Sequence, residues 1–342
     1  MNSEKPILEV QGLGKVFQLQ AGLFGGLGAS LTAVQNVSFS VKRGEILALV
    51  GESGSGKTTT GRLILRLLEP TTGSVKFDGV ELLPLGKQAM RAYRRRMQIV
   101  FQDPYSSLNP YARIGDVLEE PLIIHGLHGG RAERRERVKE LMAMVGLSPG
   151  QAERFPHEFS GGQRQRIGIA RALAVEPEFV VADEPVSALD VSVQAQIINL
   201  LEQLQDELRL AMLFIAHDLA IVRHIANHVA VMYLGRIVET APTRQIFMTP
   251  RHPYTEALLS AAPNPDPEIR HQRIVLQGDI PSPLNPPSGC PFRTRCRHAK
   301  PECAEADMQL RQVGSNHASA CIRVDELYGT DITPETIRAD SA

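Results

Sequence analysis

The chain has no excess of charge of either sign. Its 37 lysine and arginine residues stand against 38 aspartate and glutamate residues, which gives a formal net charge of −1 over 342 residues. Proteins that bind nucleic acid usually carry a basic face, and the overall charge gives no sign of one. The balance therefore argues against nucleic acid as the main ligand.

Long apolar runs are also lacking. The longest stretches, such as residues 210–216, are much shorter than the roughly 20 apolar residues of a membrane-spanning helix. Residues 1–6 are Met-Asn-Ser-Glu-Lys-Pro and show no apolar segment typical of a secretory leader. We therefore expect a cytoplasmic protein, and 43% hydrophobic residues are enough for a buried core.

Cysteine is absent from the first 289 residues, and the four cysteines of the chain are Cys290, Cys296, Cys303 and Cys321. A disulfide framework is not expected in a reducing compartment, so the group suggests a local metal or cluster site. The spacings C-x5-C, C-x6-C and C-x17-C differ from the paired C-x2-C of common zinc sites. Four thiolates still favour a soft metal, and zinc remains an alternative to an iron–sulfur cluster.

The N-terminal region shows strand patterns that lead to one helix. Apolar and polar residues alternate in 7–10 and 34–41, as in half-buried strands, and a glycine-rich loop lies between them at 22–30. Residues 46–50 are continuously apolar, which is typical of a strand buried on both faces, and residues 57–68 then show helical spacing. This order of strand, glycine loop and helix suits a phosphate site.

Helical periodicity and charge dominate residues 110–173, which predicts a helical subdomain. Strand and helix then alternate, with apolar strands at 179–182 and 211–216 and an amphipathic helix at 191–208 between them. A parallel α/β core that encloses a helical insert follows from this alternation.

Proline is frequent between residues 250 and 287, which excludes long helices there and indicates a linker followed by an irregular C-terminal module. Four histidines are scattered without ligand-like spacing, and we expect them to be exposed or to cap helices: His157, His252, His298 and His317.

Residues 51–58, Gly-Glu-Ser-Gly-Ser-Gly-Lys-Thr, match the P-loop pattern G-x-x-x-x-G-K-[ST] between a buried strand and a helix. Backbone N–H groups of such a loop converge on phosphate oxygens. We expect Lys57 to contact the β- and γ-phosphates of ATP and the Thr58 hydroxyl to ligate Mg²⁺. The predicted ATP-binding residues of the loop are Gly51, Ser53, Gly54, Gly56, Lys57, Thr58 and Thr59.

Two adjacent carboxylates follow the buried strand at 179–182. Asp183 lies at the carboxyl edge of this strand, where ligands of α/β proteins bind, and is expected on the Mg²⁺ side. Glu184 lies one residue further and is expected to orient or deprotonate the attacking water.

A second anion site is predicted at residues 159–163, Phe-Ser-Gly-Gly-Gln, before a helix that we expect to begin near Arg164. A helix start offers free N–H donors at its positive end, and a serine hydroxyl lies beside them. One chain needs a second phosphate site only if that site serves a nucleotide bound to a partner subunit. A simple P-loop kinase gives no reason for this motif.

With these motifs in this order, the sequence resembles an ABC ATPase. The resemblance implies that Ser160, Gly161, Gly162 and Gln163 form the signature motif, which caps the γ-phosphate of ATP held by the partner. It also implies a Q-loop at Gln102, which would ligate Mg²⁺ and take part in catalysis, a D-loop at 187–190 ending in Asp190, and a switch histidine at His217. Phe17 is similar in position to the aromatic residue that stacks on adenine.

Residues from about 7 to 325 resemble the oligopeptide and dipeptide importer branch of this family. The segments that carry this resemblance are 103–110, Asp-Pro-Tyr-Ser-Ser-Leu-Asn-Pro, and 251–255, Arg-His-Pro-Tyr-Thr. In this branch the four cysteines hold a [4Fe–4S] cluster, so the resemblance implies such a cluster here, with zinc as the alternative.

The resulting expectation is an α/β fold: a RecA-like P-loop core with an antiparallel β subdomain and a helical subdomain, plus a small cysteine-bearing module. We expect the ATPase domain at 1–250, with the helical subdomain at about 103–175. The C-terminal module would span 251–330 and a tail 331–342. These bounds combine the composition with the resemblance.

The resemblance further implies two ATP sites in a dimer of ATPase subunits, two membrane-spanning permeases and an extracytoplasmic binding protein, with this chain at the cytoplasmic face of the inner membrane. Nickel or glutathione import stays open within the family. The alternative class is an ABC ATPase of nucleic-acid or ribosome maintenance. Such proteins usually carry two cassettes or long coiled coils, whereas this chain has one P-loop and no heptad run.

Overall fold

The computed structural model describes residues 5–18, 30–261 and 274–329. The predicted glycine-rich loop, apart from Ser30, and the predicted tail at 331–342 lie outside these residues. The strands are β1 (Leu8–Gln18), β2 (Ser30–Val41), β3 (Ile46–Val50), β4 (Thr72–Phe77), β5 (Val80–Glu81), β6 (Met97–Val100), β7 (Phe179–Asp183), β8 (Ala211–Ala216), β9 (His228–Tyr233), β10 (Arg236–Pro242), β11 (Arg311–Gly314) and β12 (His317–Ser319). The helices are α1 (Lys57–Ile64), α2 (Lys87–Arg96), α3 (Pro104–Ser107), α4 (Ile114–His125), α5 (Arg131–Met144), α6 (Gly161–Leu173), α7 (Val191–Leu208), α8 (Leu219–Ile225), α9 (Thr243–Met248), α10 (Pro253–Ala261) and α11 (Val324–Tyr328).

The larger sheet has, within the described residues, the strand order β11-β12-β10-β9-β3-β8-β7-β6. From β9 to β6 the pairing is parallel. Strands β3, β7 and β8 are buried along their whole length, which explains their continuous apolar sequences. Because parallel strands end at the same edge, the segments after β3, β6, β7 and β8 meet there.

The smaller sheet is antiparallel, with the order β2-β1-β4-β5. The buried residues of the described ranges form two hydrophobic cores, one on each face of the larger sheet. Strand β3 contributes to both, because its side chains alternate between opposite faces. Ile46, Ala48 and Val50 contribute to the core beneath the helical subdomain. Leu47 and Leu49 contribute to the core beneath the smaller sheet. Each fully buried leucine of this kind stabilises the fold by about 1.5–3 kcal/mol.

Helices α3 to α6 occupy the region expected to be helical. Helix α6 begins at Gly161, three residues before the start near Arg164 that the sequence suggested, so that expectation was wrong. The cause is a reciprocal capping box. The Ser160 hydroxyl accepts from the Gln163 N–H at 3.3 Å, and the Gln163 side-chain oxygen accepts from the Ser160 N–H at 3.0 Å.

Helix α1 is also shorter than the pattern at 57–68 suggested, since it ends at Ile64. Arg66 takes a positive φ of 49°, which breaks the helical path, and its guanidinium donates to the carbonyls of Leu82 and Leu85 at 2.9 and 2.6 Å. The chain thereby turns toward β4 of the smaller sheet.

The C-terminal module is attached to the core by the larger sheet. Strand β12 pairs with β10 through Glu239 with Ser319 and Thr240 with Ala318, and β11 adds the edge strand. Short strands with few apolar residues gave no pattern in the sequence from which this pairing could be predicted.

Two of the scattered histidines are buried in this region. His252 does cap a helix, because its Nδ1 accepts from the Tyr254 N–H at 3.1 Å at the start of α10. His317, however, is 3% exposed, and its Nε2 lies 2.7 Å from the buried carboxylate of Glu239. The expectation of exposure or capping was therefore wrong for His317, because a buried acid at β10 provides its partner.

None of the helices in the described part of the chain combines the length and the apolar character that crossing a bilayer requires.

Two glycines of α6 make a matched test of this packing. A Cβ at Gly162 would lie 2.4 Å from Val193 Cγ1 on α7, whereas a Cβ at Gly168 meets nothing within 4 Å. Valine is stiff at χ1 and cannot easily move aside. We expect Gly162→Ala to lower the free energy of unfolding by about 1–3 kcal/mol through overpacking, measured by urea denaturation.

Gly168→Ala should instead raise the stability by about 0.5–1 kcal/mol, because alanine loses less backbone entropy in a helix. Equal effects of the two substitutions would contradict the close contact of α6 with α7.

Candidate functional site

The P-loop follows β3 and closes tightly against neighbouring backbone. Gly51 and Gly56 take positive φ values of 154° and 104°. A Cβ at Gly51 would lie 2.1 Å from the Met232 carbonyl oxygen, and a Cβ at Gly56 would lie 2.5 Å from the Ala33 carbonyl oxygen. Both positions thus exclude a side chain, which explains two of the motif's glycines.

Lys57 is held inside the loop. Its Nζ donates to the carbonyl oxygens of Gly51 at 2.8 Å and of Glu52 at 3.0 Å, and the residue is 4% exposed. Burial lowers the pKa of Lys57, while the charges of Glu184 and Asp183 act in the opposite direction. The ammonium is therefore held by two carbonyl oxygens of the loop that, in a P-loop, surrounds the phosphates.

Thr58 and Asp183 meet across the site. The Thr58 hydroxyl donates to Asp183 Oδ1 at 2.7 Å, which joins the start of α1 to the end of β7. Burial raises the pKa of Asp183, and the hydrogen bond from Thr58 acts against this rise. A hydroxyl and a carboxylate oxygen are ligands that suit Mg²⁺, so these residues fit the predicted metal role, which remains a prediction.

Glu184 links the ends of three strands. Its Oε2 accepts from Gln102 Nε2 at 3.0 Å and lies 3.3 Å from His217 Nδ1. Gln102, Glu184 and His217 follow β6, β7 and β8 respectively. Glu184 also has a φ of 45°, a conformation that costs a residue with a side chain about 1–3 kcal/mol. In this conformation the carboxylate contacts Gln102 and His217 at the carboxyl edge of the sheet.

Several of these side chains line one cavity of about 440 Å³. It is lined by the predicted residues Phe17, Ser53, Gly54, Gly56, Lys57, Thr58, Thr59, Gln102 and Glu184. The predicted residues Gly51, Asp183 and His217 do not line it and instead contact the lining residues Lys57, Thr58 and Glu184 respectively. Phe17, on β1, contributes an aromatic ring to this lining, and the Lys15 ammonium lies 5.1 Å from its ring centroid. The cavity therefore combines a polar phosphate end with an aromatic side chain.

Sequence reasoning missed several lining residues: Leu31, Thr32, Ala33, Leu234, Gly235 and Pro283. Residues 31–33 belong to β2 of the smaller sheet, and Pro283 belongs to the proline-rich segment. No motif marks these positions, because their contribution arises from chain segments far apart in sequence.

The predicted signature residues do not line this cavity. Ser160 caps α6, and Asp190 precedes α7, so both lie at exposed helix starts. Within one chain these residues and the P-loop do not meet, and their service to a nucleotide on a second subunit stays a prediction.

The four cysteines, Cys290, Cys296, Cys303 and Cys321, line a second, smaller cavity together with Phe292 and His252. Burial raises the pKa of Cys290 to about 12 and that of Cys321 to about 11, and the neighbouring thiols add to both shifts. Across the described ranges, no group of three or more His, Cys, Asp or Glu side chains is arranged to hold a metal ion. The structure gathers the thiols without forming a single-ion site.

Comparisons with known proteins agree with this geometry. A model of the ABC transporter family matches residues 34–187, and a model described as the oligopeptide/dipeptide transporter C-terminal region matches residues 238–303. A putative peptide import ATP-binding protein of Brucella ovis is 56% identical over 94% of this chain and 99% of its own length. The dipeptide transport ATP-binding protein DppF of Haemophilus influenzae is 50% identical, over 94% and 97%.

Solved structures give the same fold. An ATP-binding cassette in a dimeric, post-hydrolysis state bound to ADP and Pi matches with a TM-score of 0.62 and 30% identity, over 69% of this chain and 99% of that one. The cassette CbiO1 from Clostridium perfringens matches with a TM-score of 0.62 and 27% identity, over 72% and 92%. The predicted cassette fold is confirmed.

The buried ammonium yields the first prediction for this site. Lys57→Ala should weaken ATP binding about tenfold to a hundredfold, because a hydrogen bond to a charged group contributes about 1.5–3 kcal/mol. Equilibrium titration with a fluorescent ATP analogue measures the affinity. Lys76→Ala on β4, away from the cavity, is the control and should bind normally. Normal affinity in the Lys57 variant would contradict the phosphate role of this end of the cavity.

Proposed function

The chain belongs to the ABC transporter ATP-binding family, in its oligopeptide and dipeptide branch, and on this premise we propose that it hydrolyses ATP to power the import of small peptides. One observation carries the proposal. Lys57, Thr58, Gln102 and Glu184 line one cavity. Asp183 accepts a hydrogen bond from Thr58, and His217 Nδ1 lies 3.3 Å from Glu184 Oε2. This set provides a phosphate contact, oxygen ligands for a cation and a base.

ATP would bind with its triphosphate on the P-loop backbone and Lys57, and with its base toward Phe17. Thr58 and Asp183 would hold Mg²⁺, with Gln102 as a further ligand; the cation neutralises charge on the β- and γ-phosphates. Glu184 would orient a water molecule and accept its proton, since Gln102 and His217 fix the position of the carboxylate. Binding and hydrolysis would alternately close and open a pair of subunits.

The proposed partners are a second ABC ATPase subunit, two membrane-spanning permeases and an extracytoplasmic substrate-binding protein. The dimeric cassette among the matching structures supports the first, because that protein covers the same fold. The exposed position of Ser160 agrees with a capping role toward a partner's nucleotide. The chain would then lie at the cytoplasmic face of the inner membrane, held by its permeases.

Peptides are favoured over nickel or glutathione as the transported solute, because the similar proteins named above carry peptide or dipeptide in their names. A role in nucleic-acid or ribosome maintenance is disfavoured by the same relatives and by the net charge of −1. We propose that the chain does not act on nucleic acid.

We further propose that the four cysteines hold a [4Fe–4S] cluster of structural function. Their common cavity supports this, as does the chemistry of four thiols in a segment with little core of its own. Zinc is the alternative, but one tetrahedral zinc needs all sulfurs within about 2.3 Å of the ion.

Glu184→Gln tests the catalytic proposal. The amide keeps the shape and can hold water but cannot accept its proton, so ATP should still bind while hydrolysis slows by about 10²-fold or more. Phosphate release at saturating ATP in the assembled complex measures the rate. Glu202→Gln is a matched control, because Glu202 Oε2 also lies 3.3 Å from a histidine, Nε2 of His224, away from the cavity. If Glu184→Gln releases phosphate as fast as Glu202→Gln and the parent protein, a residue other than Glu184 must be the catalytic base.

Cys296→Ser tests the cluster. Anaerobically purified parent protein should be brown, with about four irons and four sulfides per chain as in a [4Fe–4S] cluster, and the variant should lose both. ATP should still bind measurably, because no cysteine lines the ATP cavity, with an affinity that falls at most as far as in a variant that lacks the neighbouring Arg295. Colourless anaerobic parent protein with one zinc per chain would overturn the cluster and favour the alternative.

A further inference from the structure

The second residue of the P-loop is held by the C-terminal module. Arg295 Nη1 donates to Glu52 Oε2 at 2.7 Å, and Nη2 donates to Oε1 at 3.1 Å, across 243 residues of sequence. The Arg295 side chain is 8% exposed and that of Glu52 is 26% exposed. A bidentate pair with this little solvent is stronger and more directional than a surface ion pair.

The backbone of Glu52 is fixed as well. Its N–H donates to the hydroxyl of Tyr254 at 2.9 Å, and its carbonyl oxygen accepts from Lys57 Nζ at 3.0 Å. Glu52 is therefore held through its carboxylate, its N–H and its carbonyl. The carbonyl contact links Glu52 directly to Lys57, the residue proposed to bind the phosphates.

Arg295 is held in place by its own backbone and by a cluster of three buried aromatic residues. Arg295 Nη1 lies 3.5 Å from the Tyr233 hydroxyl, and the backbone N–H of Arg295 donates to the Phe292 carbonyl at 2.9 Å. The rings of Tyr233, Tyr254 and Phe292 pack with centroid distances of 4.6, 5.4 and 5.3 Å, and all three residues are buried. Tyr233 ends β9, which pairs with β3, so the support and the P-loop share one sheet edge.

We propose that Arg295 is a positioning residue for ATP binding: it neutralises Glu52 and fixes the peptide groups of the P-loop that hold Lys57. The proposed role of Arg295 rests on the proposed function in one respect, namely that the ligand of the P-loop is ATP. Without the guanidinium, an unpaired carboxylate would lie one residue from the phosphate-binding amides and repel the triphosphate. The C-terminal module thus completes the nucleotide site from outside the motifs of the core.

Arg295→Gln should weaken ATP binding roughly tenfold, within the range of about 5- to 150-fold usual for coupled sites. The KM for ATP should rise by a similar factor while kcat at saturating ATP stays near the parental value, since the residue touches no reacting atom. Arg295→Lys should recover part of the affinity, because it restores charge without the bidentate geometry. Fluorescent-ATP titration and steady-state phosphate release on the full chain measure these quantities.

Arg297→Gln is the matched control. Arg297 lies two residues away in the same module, and its Nη2 pairs with Glu256 Oε1 at 2.7 Å, away from the P-loop. Its loss should leave the affinity and KM for ATP unchanged. If both arginine variants weaken ATP binding equally, the effect reflects general loosening of the module and the proposal is overturned.

A double variant separates charge from shape. Glu52→Gln with Arg295→Gln should bind ATP more tightly than Arg295→Gln alone, because it removes the unpaired carboxylate. If Arg295→Gln fails to fold, Arg295→Lys and the double variant still report the coupling. Parental affinity in every Arg295 variant would overturn the proposal, and it would leave the proposed function intact if Lys57→Ala still loses ATP.

Discussion

The parallel register of β3, β8, β7 and β6 is the constraint on which the rest of the structure depends. Val50 pairs with Ala216, Ile215 with Asp183, and Ala182 with Val100, so the four strands end nearly level. Asp183 is the last residue of β7, and Gln102, Glu184 and His217 lie only one or two residues beyond the ends of their strands, so the strand register fixes their positions. The short contacts among Gln102, Glu184 and His217, and between Thr58 and Asp183, follow from this level edge.

The carboxyl edge of these strands brings a buried lysine, Lys57, and a buried aspartate, Asp183, close to Glu184. Burial shifts the pKa of Lys57 downward and that of Asp183 upward, so each group is held in an environment that disfavours its charged form. Glu184 adds an unfavourable φ of 45°. The hydrogen-bond partners of Lys57 and Asp183 are two carbonyls and one hydroxyl, none of them charged. In the proposed function a triphosphate and its cation would supply the opposite charges, so binding would stabilise the folded protein. The site is arranged for its ligand at some expense of stability.

Local patterns predicted the elements that build this edge, because burial on both faces leaves a continuous apolar signature in strands such as 46–50 and 211–216. The P-loop also left a local signature, since Gly51 and Gly56 lie against backbone atoms that exclude any Cβ. Pairings across long sequence separations left no such signature. The Glu52–Arg295 pair and the pairing of β12 with β10 depend on how the C-terminal module returns to the sheet, which no local periodicity encodes.

The carboxylate of Glu184, proposed as the catalytic base, lies close in the fold to the surface proposed to meet a second subunit. A tight turn runs from Glu184 to α7, with the Ser187 hydroxyl donating to the Glu184 carbonyl at 3.1 Å and the Leu189 N–H donating to the Val186 carbonyl at 3.1 Å. The start of α6 lies against the far end of this turn, because a Cβ at Gly161 would meet Leu189 Cδ2 at 3.3 Å. The exposed starts of α6 and α7 therefore lie one tight turn away from Glu184, joined to it by packing on Leu189 and by short hydrogen bonds within the turn.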